Sequence, residues 1–205
     1  MDAIVQPRSA AAPKQARSRA RRQALIEHGA MLLETADLDE LSVAEITGAL
    51  GYSTGSFYSY FADKEAFFVA VQQWVNADLE TDFTRIFGDE HLKRASLEDR
   101  LTAALDFTLA YFRRRTGVIR SALRYERRIP AGWAPNRRRT KAIIDAVTDG
   151  LDAARRERLE TALQLAFGML VNALLHDPGP LRLADDRLAP RIREALGPHL
   201  RDSER

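Results

Sequence analysis

Cysteine is absent from the 205 residues. This removes disulfides, thiolate metal sites and cysteine nucleophiles, and it makes a reducing compartment the simple expectation. Long hydrophobic runs are absent as well. No segment approaches the ~20 consecutive apolar residues of a membrane span. The first twenty residues are polar, basic and alanine-rich, without the apolar stretch of a signal peptide. The expectation is a cytoplasmic chain with no membrane partner. The four histidines, His28, His91, His176 and His199, are scattered with no metal-ligand spacing, and neither a phosphate loop nor a dinucleotide fingerprint occurs. No metal, cofactor or catalytic cluster is therefore expected. Alternating stretches are also missing, which leaves no candidate strand.

Net charge is low, 31 basic residues against 29 acidic, but its distribution is uneven. Residues 1–24 carry six basic residues, among them Arg17, Arg19, Arg21 and Arg22, against Asp2. Residues 100–141 carry twelve, against Asp106 and Glu126. Solvated arginine-rich surface is the plain reading of such clusters. It is preferred for the second, whereas the first reads as an arm that meets an anionic partner.

What is present is helical periodicity. Residues 1–16, with two prolines and no apolar period, read as a disordered basic arm. From about Arg17 the positions Leu25, Gly29, Leu32 and Leu33 fall on one helix face. Ser42 precedes a short helix as N-cap, with Glu45 three residues on as capping-box partner. Val43, Ile46 and Leu50 form its apolar face. Gly51 is suited to the left-handed residue that ends a helix. Ser53 caps a third helix whose inward face is Phe57 and Phe61. Asp63 caps a fourth, with Phe67, Val71, Trp74 and Val75 as its buried stripe. Further on, Leu97, Leu101, Leu105 and Leu109 recur every four residues. Helices are expected over 137–152, after a break at 130–135, then over 156–176 and 187–200. The fold class is all-α, with eight or nine helices: a helix-turn-helix domain over 17–65 and a helical domain over 66–205.

Residues 42–61 carry the function. They make a short helix, a glycine-containing turn and a second short helix. With Phe57 and Phe61 inward, the second helix shows Thr54, Gly55, Ser56, Tyr58 and Ser59 to solvent. Hydroxyls bond phosphate oxygens and base edges, and small residues let a helix N-terminus approach the major groove. Lys64 opens the next helix, placed to reach a backbone phosphate. The partner expected is a double-stranded DNA operator.

Residues 17–75 resemble the DNA-binding domain of the tetracycline-repressor (TetR) family. The matching residues are Ser42-Val43, Ile46, Gly51-Tyr52-Ser53, Gly55, Phe57-Tyr58, Tyr60-Phe61 and Lys64-Glu65. The resemblance implies that Thr54 and Ser56 face base edges, that Ser42, Tyr58 and Lys64 grip phosphates, and that Arg17 and Arg19 reach toward a flanking groove. Ser53, Gly55 and Tyr60 complete the expected DNA-binding set. The family's usual glycine after the first helix is missing, and Ala36-Asp37-Leu38-Asp39 stands there. Residues 25–64 hold seven acidic residues and only Lys64 as a cation. Attraction for phosphate must then come from the arm, a helix dipole and Lys64.

The resemblance also implies that the second domain senses a small organic effector and forms a homodimer. Broad apolar stripes on 156–176 and 187–200 favour a four-helix interface, with Ala162, Ala166 and Ala173 admitting a close approach. The expected effector lining is Trp74, Phe107, Tyr111, Tyr125 and Phe167, with Arg120 or Arg124 as polar anchor if these arginines face inward. That favours an amphipathic or weakly acidic ligand. Two alternatives stay open: a ligand-independent DNA-binding regulator, and an esterase using the G-x-S-x-G of Gly51-Tyr52-Ser53-Thr54-Gly55, which would need a strand before its serine.

Overall fold

The computed structural model describes residues 11–176 and 179–200, with side chains described at 14–129, 134–176 and 179–198. The described residues form ten helices and no strand: α1 (Ala11–Leu32), α2 (Val43–Gly48), α3 (Thr54–Tyr58), α4 (Lys64–Phe87), α5 (Glu90–Arg94), α6 (Leu97–Arg114), α7 (Thr116–Arg124), α8 (Pro130–Thr148), α9 (Ala153–Leu175) and α10 (Leu188–Leu200). The all-α expectation holds. Ten helices exceed the expected eight or nine, and the two with no counterpart in the sequence reading are the short α5 and α7. α7 exists because the chain turns at Arg115, whose φ of −132° and ψ of 36° end α6 and begin the next helix.

Three helix boundaries differ clearly from the sequence reading. α1 starts at Ala11, so residues 11–16 are helical, while residues 1–10 of the expected arm lie outside the described residues. Pro13 falls in the first turn, where a missing N–H costs no helical bond. The expected break at 130–135 is instead the start of α8. Pro130 opens that helix, and proline's fixed φ suits a first turn. α8 then stops at Thr148, short of the expected 152. Gly150 takes a left-handed φ of 75°, and Asp152 caps α9 by accepting the Arg155 N–H at 2.9 Å.

The chain divides into two compact units at Val71/Gln72, six residues beyond the boundary expected. Phe67 accounts for the shift: its ring lies 5.3 Å from that of Phe57 and 5.1 Å from that of Phe61, so the start of α4 completes the first core. Leu25, Leu33, Leu38, Ile46, Phe57, Phe67 and Phe68 are all buried there.

In the second unit α6 packs against α7, α8, α9 and α10, and α9 packs along α10. Leu101, Leu105 and Leu109 of the expected stripe are buried, as are Leu159, Leu170, Leu188, Ile192 and Leu196. One expectation fails here. Ala162, Ala166 and Ala173 are buried inside the chain's own core, so they do not form an open face for a partner helix. Leu165, 57% exposed, is the large apolar side chain that α9 shows to solvent.

Candidate functional site

The first unit builds a helix-turn-helix from local rules. Ser42 and Glu45 close a full capping box: the Glu45 N–H donates to Ser42 Oγ at 3.1 Å, and the Ser42 N–H donates to the Glu45 carboxylate at 2.7 Å. These bonds hold the Glu45 carboxyl below its ordinary pKa. Gly51 sits at φ 67° between α2 and α3, where an L side chain would be strained. Ser53 caps α3, its Oγ accepting the Ser56 N–H at 3.2 Å. What precedes Ser53 is a helix and a turn, not a strand. The Gly51–Gly55 pattern is thus a helix cap, and the nucleophile-elbow alternative has no scaffold.

Phe57 is fully buried, and its rings and those of Phe61 and Phe67 form one cluster under α3. The opposite side of the helix is open. Thr54, Gly55 and Ser59 are exposed, Ser56 is half-buried, and Tyr58 is 58% exposed. A Cβ added at Gly55 would meet only Ser53 Oγ, at 3.7 Å, so nothing within the chain demands glycine there. Tyr60 is half-buried and takes a 3.3 Å hydrogen bond from Ser18 of α1. Arg17 and Arg19 are exposed along α1, whereas Arg21 lies over the Tyr52 ring and Arg22 over the Phe61 ring.

Lys64, expected to meet a phosphate, is engaged within the chain. Its ammonium donates to the carbonyls of Leu38 at 3.0 Å, Asp39 at 3.2 Å and Leu41 at 2.7 Å. An ammonium has three N–H donors, and here all three find acceptors within the chain. Lys64 therefore ties α4 to the loop between α1 and α2. That loop is the one lacking the family's usual glycine, and Leu38 at its centre is fully buried.

The second unit contains a cavity of about 690 Å³ between α6, α8 and α9, a volume in the range of sites for drug-sized molecules. Phe107, Tyr111 and Phe167, expected to line a ligand site, do line it, together with Leu105, Phe112, Ile144 and Leu170. The other four expected residues do not. Trp74 is covered by the Arg115 guanidinium, 4.9 Å from its ring centre. Arg120 is half-buried and Arg124 exposed on α7, and Arg128 stacks over Tyr125.

Sequence reasoning missed Arg139 and Asn136. Both are buried and both line the cavity. Asn136 Oδ1 accepts the Tyr111 hydroxyl at 3.3 Å and the Arg139 guanidinium at 3.2 Å. Burial pushes the Tyr111 hydroxyl up to about 12 and pulls the Arg139 guanidinium below its ordinary value. The arginine-rich stretch gave a signal of charge, but not of which arginine turns inward. Several of its members are in fact spoken for: Arg114 and Arg115 pair with Asp78, Arg114 also with Asp82, and Arg137 with Glu126. Among the described residues no group of three side chains is arranged to hold a metal ion, and no helix is long and apolar enough to cross a membrane.

Comparison with known proteins agrees with this geometry. Residues 25–71 match the sequence model of the bacterial regulatory proteins of the tetR family. No curated protein matches the chain's sequence. Among solved structures, one from Mesorhizobium loti assigned to the TetR-family transcriptional regulators aligns with a TM-score of 0.68 at 16% identity, over 90% of this chain and 96% of its own. A TetR-family regulator from Streptomyces coelicolor aligns at 0.65 and 20% identity, over 88% and 82%. The regulator PfmR from Thermus thermophilus aligns at 0.57 and 19%, over 88% and 99%. At such identities the likeness speaks for the fold, and the family likeness is confined to the matched segment 25–71. Residues 25–71 are thus similar to the helix-turn-helix segment of the bacterial regulatory proteins of the tetR family, and along most of its length the chain has the fold of solved structures assigned to that family.

Proposed function

We propose that this chain is a cytoplasmic transcriptional repressor that binds a pseudo-palindromic operator as a homodimer and leaves it when a small organic molecule fills the cavity of the second unit. The observation that carries the reading is the cavity itself: about 690 Å³, walled mainly by aromatic and aliphatic side chains, in a chain whose other unit is a helix-turn-helix. On this reading Thr54 and Ser56 meet base edges, while Ser42, Ser53, Tyr58 and Tyr60 meet phosphates and Gly55 allows the approach. Arg17 and Arg19 reach a neighbouring groove. A single short recognition helix reads only a few base pairs, so two copies are required for a specific site. Leu165 and its neighbours on α9 and α10 would supply the interface.

Release follows from differential binding: a ligand acts only as far as it prefers the conformation that DNA disfavours. α4 is the proposed lever, since residues 64–71 belong to the first unit and 72–87 to the second. The test is operator selection from a random duplex pool, then fluorescence anisotropy with and without compounds that raise the melting temperature. Equal affinity for every duplex refutes the repressor reading. Selective binding that no stabilising compound relieves leaves a ligand-independent regulator.

A further inference from the structure

Six charged residues border the cavity: Arg137, Arg139, Lys141, Asp145, Glu157 and Glu160. Five are exposed or half-exposed. At the rim, Lys141 bonds Asp145 at 2.6 Å, and Arg156 bonds Asp145 at 2.6 Å and Glu160 at 2.9 Å. Arg139 alone among the six is buried, at 7% exposure. Its nearest carboxylate is that of Glu80, 3.9 Å away on a side chain 64% exposed. Its other acceptors are neutral: Asn136 Oδ1 at 3.2 Å, Asn76 Oδ1 at 3.0 Å and the Asn76 carbonyl at 3.5 Å, and its guanidinium lies 5.9 Å from the Tyr111 ring centre. Its Nε has no acceptor among the described residues. A buried cation is stable when a matched anion and a full set of hydrogen bonds compensate for lost water. Here compensation is incomplete, and an apolar cavity adjoins the deficit.

We propose that the cavity takes an amphipathic organic carboxylate. Its anionic head is held by Arg139 and the Tyr111 hydroxyl, and its apolar body lies against Phe107, Phe112, Ile144, Phe167 and Leu170. The proposal rests on the ligand-responsive reading above and names the ligand class and the anchor. Asn136 Oδ1 now accepts from both Tyr111 and Arg139. A carboxylate is a stronger acceptor than that amide and presents two oxygens to a guanidinium. The same arginine reaches from α8 to Asn76 and Glu80 on α4. A carboxylate that draws Arg139 toward the cavity therefore weakens its hold on α4, the helix proposed to carry the signal.

The experiment uses the full chain and a panel of paired probes: decanoate, dodecanoate and 1-naphthylacetate, each with its primary amide. Dissociation constants are read by titration calorimetry, and DNA release by anisotropy. The acids are expected to bind about tenfold or more tightly than their amides, the worth of one charge-assisted hydrogen bond. Arg139→Gln is expected to erase that preference while leaving amide affinity within about threefold. If circular dichroism shows that Arg139→Gln does not fold, Asn76→Ala supplies the second reading. Asn76→Ala removes the 3.0 Å side-chain bond and leaves the Asn76 carbonyl at 3.5 Å and Glu80 at 3.9 Å; this loosening of Arg139 from α4 is expected to tighten acid binding and to make operator release by acid less complete. Amides that bind as well as acids, or an unaltered preference in Arg139→Gln, overturn the proposal. A neutral or cationic compound that fills the cavity and releases DNA while the acids stay inert also overturns it, and leaves ligand release standing. Failure of compounds of every charge removes both.

Discussion

Lys64→Met separates a structural lysine from a DNA-gripping one. The substitution keeps the apolar stem and deletes the ammonium, leaving the carbonyls of Leu38, Asp39 and Leu41 without their donor. A hydrogen bond contributes about 1 kcal/mol net. The bond to Asp39 is exposed, so water replaces it. The bonds to Leu38 and Leu41 are partly buried and are not replaced in full. The expected loss is about 2 kcal/mol, confined to the first unit. With an m-value of about 1–2 kcal/mol per M for a unit of this size, the urea midpoint falls by about 1–2 M. Both tryptophans, Trp74 and Trp133, lie in the second unit. Far-UV circular dichroism should therefore show an early loss of helix that tryptophan fluorescence does not follow. In operator binding measured below that transition, the dependence of log affinity on log salt should keep its slope. An unchanged urea profile together with a slope reduced by about 0.9, the signature of one lost phosphate contact, would refute the structural assignment.

Four further outcomes are expected. Gly29→Ala places a Cβ 2.1 Å from Phe67 Cζ and 2.8 Å from its Cε1; overpacking of about 1–3 kcal/mol outweighs the gain of about 1 in helix propensity, and calorimetry should show a lower melting temperature. Gly55→Ala meets nothing closer than Ser53 Oγ at 3.7 Å, so stability should hold or rise while operator affinity falls; unchanged affinity in anisotropy would remove Gly55 from the interface. Ser42→Ala should cost about 1 kcal/mol in urea unfolding through the lost cap. Because the Glu45 carboxyl is held below its ordinary value, its part of the capping box is present above the unfolded value and lost as pH falls through the folded one; the difference between wild type and Ser42→Ala should shrink in acid. Tyr111, raised to about 12, favours folding below the unfolded tyrosine value near 10 and loses that contribution as pH rises through about 12; an ultraviolet titration should show one tyrosine ionising last, and Tyr111→Phe should remove that step.

The helix-turn-helix was legible because its determinants are local. Ser42 with Glu45, Gly51 and Ser53 fix caps and a turn within a few residues, and the same four positions carry those devices in the structure. Apolar spacing likewise pointed to Phe57, Phe61 and Phe67, which meet under α3. Lys64 was not legible. Its acceptors lie 23 to 26 residues away, and they are backbone carbonyls, which carry no sequence signal. In the second unit aromatic residues were easier to place than arginines. Phe107 and Phe167 border the cavity because apolar rings go inward on free-energy grounds alone. A long basic side chain buries or exposes its head according to tertiary partners. Arg139 turns inward because Asn136 and Asn76 receive it, whereas Arg120 and Arg124, placed by periodicity, stay outside the cavity lining.

Moving Lys64 into the fold changes how the first unit must attract DNA. Residues 25–64 hold seven acidic side chains, and their single cation is now bound to carbonyls of the same loop. Of the α1 arginines, Arg21 and Arg22 lie over Tyr52 and Phe61, where a cation–π contact steadies the guanidinium without neutralising it. On the proposed reading, long-range attraction for a phosphate backbone would rest on the cations of α1 together, Lys14, Arg17, Arg19, Arg21 and Arg22. The exposed side of α3 offers hydroxyls and the N-terminal end of a short helix, which act only at contact distance. The surface thus separates encounter from recognition. On the proposed reading, the cations of α1 would govern how fast and at what salt the protein finds a duplex, and the neutral face of α3 which duplex it keeps.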